Sequence, residues 1–253
     1  MWITFTNYLH CVRVYAIFNL YLLSLRWQDA KPQPRVAVSA FYRYYIQIMR
    51  VYIYVDGFNL YYGSVKGTPH KWLDIFKLSS FLFPNDEIIK IKYFTAPVKV
   101  RQNDPDPDKP NRQQIYLRAL RTIPNLEIFE GTFLSHSVMM KNADNGGYTK
   151  VIKTEEKGTD VNIAAHLLND GYKNEYEMAI VISNDSDLVE PIKMVISELK
   201  LPVIVVSPFE RNSVELKKIA SSVRHIREGV LRVSQFPTEL CDGIGPFSKP
   251  VTW

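Results

Sequence analysis

From Val51 onward, short apolar runs alternate with stretches whose apolar positions recur at helical spacing, as at Val161, Ala164, Ala165 and Leu168. The runs Val51-Tyr52-Ile53-Tyr54-Val55, Met178-Ala179-Ile180-Val181-Ile182-Ser183 and Pro202-Val203-Ile204-Val205-Val206 read as strands. The pattern predicts strands at 51–55, 88–95, 126–133, 178–183 and 202–206, and helices at 74–83, 111–122, 159–170, 187–199 and 213–220. Strands and helices in this alternation imply an α/β fold with a mostly parallel central sheet flanked by helices.

Two loops interrupt the pattern. Three prolines within 102–110 remove backbone donors and exclude both a helix and a central strand. The segment 141–147, between Phe133 and Val151, reads as a hairpin turn in which glycine supplies a positive φ. A tail over 233–253 is punctuated by proline and glycine and is expected to pack irregularly.

Residues 2–27 differ from the rest. They are rich in Trp, Tyr, Phe and Leu yet show neither steady helical period nor strand alternation. The apolar stretch from Val14 to Leu25 is about half of the ~20 residues a spanning helix needs, so membrane association is not expected. Met49 stands immediately before the first convincing strand, and residues 1–48 are read as an N-terminal extension, either poorly ordered or an over-extended gene start. On this reading 49–232 is the folded domain.

The net charge of +5 and pI near 9.0 suggest nucleic-acid binding until the charge is located. Residues 1–50 hold Arg13, Arg26, Lys31, Arg35, Arg43 and Arg50 against Asp29 alone, which leaves 25 basic and 25 acidic residues for 51–253. The domain is neutral, so its charge says nothing about its partner. Cys11 and Cys241 lie near opposite ends without a CxxC or a histidine cluster, which argues against a disulfide framework or a zinc site and for a reducing, cytoplasmic setting.

The chemistry resides in acids at strand ends. In an open parallel sheet, ligands bind beyond the carboxyl ends of the strands. Asp56 follows the first strand, Asp185 and Asp187 follow strand 178–183, and Asp160 opens the helix before that strand. Like charges packed together raise each other's pKa unless a cation intervenes. Oxygen ligands without His or Cys select Mg²⁺ or Mn²⁺ over zinc, and such an ion can hold an attacking water, lower its pKa and stabilise charge developing on a phosphate. Catalytic and metal-holding roles are therefore expected for Asp56, Asp160, Asp185 and Asp187. Asn59, Ser183, Asn184 and Lys157, with Lys153, are expected to orient the acids or touch a phosphodiester backbone.

Each residue also has a plainer reading. Asp187 with Glu190 is a helix-capping signal, Asp160 suits a helix dipole, and Asp56 with Asn59 can form an Asx turn. Tyr61, Tyr62 and Trp72 can stack on bases, although core packing is the stronger expectation for each. His136, His166 and His225 show no partner spacing and receive no role. Asn145-Gly146-Gly147 is not followed by GK[ST], which disfavours nucleoside triphosphate hydrolysis.

Tyr54-Val55-Asp56-Gly57-Phe58-Asn59-Leu60, Glu155-Glu156-Lys157-Gly158-Thr159-Asp160-Val161-Asn162 and Val181-Ile182-Ser183-Asn184-Asp185-Ser186-Asp187-Leu188 together resemble the NYN domains of the PIN-like nuclease group, in particular the LabA-like branch. The resemblance begins at Met49 and implies a Rossmann-like PIN fold and a Mg²⁺-dependent ribonuclease site with Asp56, Asp160 and Asp185 as its acids, assisted by Asp187 and Asn59. It implies RNA as partner and no small-molecule cofactor beyond the metal, with a homo-oligomer left open. Two alternatives stand beside the ribonuclease: a non-catalytic RNA-binding or regulatory NYN module, and a DNA nuclease.

Overall fold

The computed structural model describes residues 48–100, 104–144 and 146–253. The expected extension, apart from Ile48, lies outside the described residues, as do the apolar run 14–25 and small parts of the two predicted loops. The strands are β1 (Arg50–Asp56), β2 (Glu87–Thr95), β3 (Leu126–Glu130), β4 (Thr132–Lys141), β5 (Tyr148–Lys157), β6 (Met178–Ile182), β7 (Val203–Ser207), β8 (Ser222–His225), β9 (Glu239–Asp242) and β10 (Gly245–Ser248). The helices are α1 (Gly57–Leu60), α2 (Ile75–Leu82), α3 (Lys109–Leu120), α4 (Thr159–Tyr172), α5 (Val189–Ser197), α6 (Val214–Ile219) and α7 (Glu228–Val233).

Six strands form one all-parallel sheet in the order β3-β2-β1-β6-β7-β8, so β1 and β6, which carry the acids at their ends, are central neighbours. Side chains alternate across β1 because the strand period is two. Val51, Ile53 and Val55 enter one core with Trp72, Leu78 of α2 and Leu117 of α3. Tyr52 and Tyr54 enter the other with Ile163 and Leu167 of α4 and Ile192 of α5. Both faces are covered, which is why these strands read as continuous apolar runs. Among the described residues no helix is long and apolar enough to cross a membrane.

The predicted strand 126–133 divides at Gly131 into β3 and β4. A Cβ there would lie 2.6 Å from Glu156 Oε1 and 2.8 Å from the Lys157 carbonyl, so only glycine lets the chain pass this close to β5. Gly131 N–H still donates to the Thr95 carbonyl at 2.7 Å, after which β4 leaves the sheet and pairs with β5 as a long antiparallel hairpin around the expected turn.

Beyond Gln235 the chain is more ordered than its composition suggests. β9 and β10 form a hairpin, and Arg118 of α3 grips Asp242 through two 2.7 Å hydrogen bonds while also donating to the Gly245 carbonyl at 2.9 Å. Trp253 packs against Trp72 and Tyr116. These long-range contacts, rather than any local pattern, order the tail.

Candidate active site

Parallel pairing of Val55 with Ile182 brings the ends of β1 and β6 side by side, and so sets Asp56 beside Ser183. Asp56 is 3 % exposed and accepts three hydrogen bonds: from Asn59 N–H at 2.9 Å, from Asn59 Nδ2 at 2.8 Å and from Ser183 Oγ at 3.1 Å. The first is the expected Asx turn, which caps α1. Burial pushes the Asp56 carboxyl up, the bonds from Asn59 and Ser183 pull it back, and Asp185 adds a repulsion. A Cβ on Gly57 would meet Tyr93 Oη at 2.7 Å and the Phe94 carbonyl at 2.8 Å, so this tight exit from β1 requires glycine.

Asn59, Ser183 and Asn184 form the frame of the rim. Asn59 Oδ1 accepts from Asn184 N–H at 3.1 Å, tying the β1 turn to the β6 turn. Ser183 Oγ, fully buried, also accepts from Asp185 N–H at 3.1 Å. Asn184 turns toward β7 and α6: its Nδ2 donates to the Arg211 carbonyl at 3.1 Å, and its Oδ1 accepts from Ser213 N–H at 2.7 Å. Ser183 thus orients Asp56, as one of its two expected roles requires, while the side chain of Asn184 is engaged in internal hydrogen bonds.

Asp185 caps the short turn Ser186–Leu188 by accepting from Asp187 N–H at 2.9 Å. The capping expected of Asp187 thus falls to Asp185, because the helix begins with a 3₁₀ turn; α5 itself has no side-chain cap. That leaves the Asp187 carboxylate outside the cap. Asp160, in the first turn of α4, is raised from an ordinary value of 3.8 to about 6, first by burial and then by Asp56, Asp185, Glu156 and Asp187. Asp56, Asp185, Asp187 and Glu156, from three other segments of the chain, thus all bear on Asp160.

Glu156 is the member that sequence reasoning missed. It sits at the base of β5, accepts from Thr159 N–H at 3.1 Å and faces the same way as Phe133, which packs edge-on against Phe58 with ring centroids 5.7 Å apart. Its only signal was adjacency to Asp160 in the Glu155-Glu156-Lys157 run. Lys153 and Lys157 instead bracket Glu155, with Lys157 Nζ at 2.9 Å, and lower the Glu155 carboxyl to about 2. Of the aromatic candidates, Trp72 is core and donates to the Pro237 carbonyl at 2.7 Å, Tyr61 is half-buried, and Tyr62 is exposed.

A cleft of ≈ 670 Å³ opens beside the acids, between Asn59, Asp185 and Ser186 on one side and Phe209 and Arg211 on the other. The donor set is hard oxygen throughout, a chemistry that fits a hard divalent cation rather than a soft one. The acids are not preset at ligating distances: among the described residues no three His, Cys, Asp or Glu side chains form a ready cation centre.

A parallel sheet with carboxylates gathered at adjacent strand ends is the arrangement of a PIN-like, nuclease-type module. Residues 50–227 match the NYN domain, and the chain belongs to that family. It is 30% identical over 237 residues to the 6-hydroxy-3-succinoylpyridine 3-monooxygenase HspA of Pseudomonas putida (strain DSM 28022 / S16), covering 81% of this chain and 75% of that protein. A solved structure of a protein of unknown function from Vibrio parahaemolyticus RIMD 2210633 is 17% identical, with a TM-score of 0.48 over 72% of this chain and 94% of that one.

Proposed function

We propose that the protein is a Mg²⁺- or Mn²⁺-dependent ribonuclease acting on cytoplasmic RNA, with Asp56, Asp160, Asp185 and Asp187 as the residues that hold the ion. The observation that carries the reading is the gathering of Asp56, Asp185, Glu156 and Asp187 around Asp160 at the rim of an NYN sheet, where burial first and then these acids raise the Asp160 carboxyl to about 6. A bound divalent ion would supply Lewis acidity at the scissile phosphate and offset the crowded charge. Asn59 and Ser183 hold the buried Asp56 carboxylate in one orientation, and Asn184 fixes the β6 turn that presents Asp185. Lys157, at the base of β5, stands where a neighbouring phosphate can compete with Glu155 for it.

The test is cleavage of end-labelled RNA and DNA with Mg²⁺, Mn²⁺ or EDTA, using the full chain and Asp185→Asn. Metal-dependent cutting of RNA that the substitution removes supports the reading; equal cutting of DNA moves it to a general nuclease; RNA binding without cutting under every condition makes the protein a binding module.

The 30% identity to a pyridine monooxygenase supports a second reading, in which the cleft beside Asp185 admits a small hydroxylated aromatic acid. Insertion of one oxygen atom from O₂ needs two electrons from a reductant, so incubation with 6-hydroxy-3-succinoylpyridine, O₂ and reduced nicotinamide tests it. Substrate-dependent oxidation of the nicotinamide with hydroxylated product supports it, and none excludes that substrate.

A further inference from the structure

Side chains directly opposed in an antiparallel ladder share a face, and alternate pairs share the same one. The β4–β5 hairpin therefore has two distinct faces. One carries Phe133/Glu156 at the rim of the acid site, then Ser135/Thr154, Ser137/Ile152, Met139/Lys150 and Lys141/Tyr148 toward the tip. On it Ile152 is 78% exposed, Tyr148 65% and Met139 60%, and among the described residues no side chain pairs with the ammonium of Lys141 or Lys150. The other face carries Lys153 and Lys157, whose charges meet Glu155.

We infer that the face bearing Lys141, Tyr148, Lys150 and Ile152 binds a single-stranded stretch of RNA and leads it to the acids. The inference rests on the ribonuclease reading for the site but on separate residues. Three observations choose this occupant. Free cations interleaved with an exposed aromatic and apolar side chains match a backbone of phosphates bearing flat bases, and a base can stack on Tyr148 whatever its sequence. The surface is continuous with the acid site through Glu156 and through Phe133 on Phe58. It also separates attraction from repulsion: Lys150 lies six strand residues from Glu156, about 20 Å at ~3.4 Å per residue, so its phosphates are held well away from the carboxylates. The hairpin then matters for long strands and not for dinucleotides.

The test measures binding of a single-stranded RNA of about twenty nucleotides to the full chain in EDTA, across a salt series, and cleavage of that RNA and of a dinucleotide with Mg²⁺. The expected result is that Lys141→Ala with Lys150→Ala lowers the salt slope by about 1.4, since each phosphate contact on a single strand contributes ~0.7. Tyr148→Ala weakens binding about tenfold. Lys150→Arg retains the slope, and Lys173→Ala, at the far end of α4, leaves it unchanged. Dinucleotide cleavage is unaffected in all of them. Unchanged long-strand binding in both hairpin variants overturns the inference while leaving the ribonuclease reading intact. A change of mass in light scattering without a change in RNA binding overturns it in favour of a second copy of the chain on this face. Wild-type protein that binds through the hairpin but never cuts removes the ribonuclease reading and keeps the interface; protein that neither binds nor cuts RNA removes both.

Discussion

The two ends of α4 carry aspartates in opposite surroundings. Asp170, near the C-terminal end, is buried, accepts from Lys92 Nζ at 2.6 Å and from Tyr54 Oη at 2.8 Å, and so is matched by a cation and a hydroxyl. Asp160, in the first turn, has no cation beside it among the described residues, and its carboxyl is raised to about 6 by burial and by other acids. One helix thus holds a satisfied charge that supports the fold and an unsatisfied one at the rim formed by the carboxyl ends of the strands. Electrostatic strain concentrated at one end, with compensation complete at the other, distinguishes a site from a structural ion pair.

The comparison is broken most severely by removing the cation from Asp170. Lys92→Ala is expected to cost about 3–5 kcal/mol in chemical denaturation because it strands a buried carboxylate, whereas Lys92→Met combined with Asp170→Leu is expected to recover most of that loss. At the other end, Asp160→Asn should lower metal-dependent RNA cleavage at least ~100-fold in single-turnover assays, the loss of several kcal/mol of charge stabilisation, while the protein stays folded.

The same Asp160→Asn substitution sharpens the contrast through stability. An acid whose folded pKa is about 6, against an ordinary value of 3.8, leaves the fold undisturbed at low pH, where it is protonated folded and unfolded alike. Stability is lost as pH rises through that window, and the full penalty is present above it. Without metal, Asp160→Asn is therefore expected to be more stable than wild type by about 1 kcal/mol above about pH 7, after allowance for solvent screening, with the advantage gone by about pH 4. Calorimetry across that range measures it, and added Mg²⁺ should narrow the gap by stabilising wild type. The smallest change is Ser183→Ala, which removes one of three bonds to Asp56: about 1 kcal/mol of stability in thermal melts and an upward shift in the acidic limb of the pH–rate profile.

Much of this was legible along the chain. The apolar runs gave every central strand of the sheet from β1 to β7, because strands covered on both faces carry a local record of their burial. β8 was missed: Ser222-Val223-Arg224-His225 is short, polar and at the sheet edge, so nothing local marks it. Asp56, Asp160, Asp185 and Asp187 were identifiable as acids beside strand or helix ends. Their division of labour was not, since Asp185 rather than Asp187 became the cap once the turn closed as 3₁₀. The setting of the lysines was not legible either: Lys153 and Lys157, expected to touch a phosphodiester backbone, lie two residues either side of Glu155 on one face of β5 and pair with it, while among the described residues Lys141 and Lys150 have no ion-pair partner.

The amino-acid pattern by itself determined an α/β sheet and the strand ends at which acids would emerge. Those follow from period and side-chain chemistry, which are local. Only the tertiary structure decided that β1 and β6 are neighbours, that Glu156 joins the acids from a hairpin outside the sheet, and that Asp170 finds Lys92 while Asp160 finds no cation among the described residues. Coulomb and hydrogen-bonding energies depend on distance in space, and residues far apart in sequence acquire that distance only when the chain has folded.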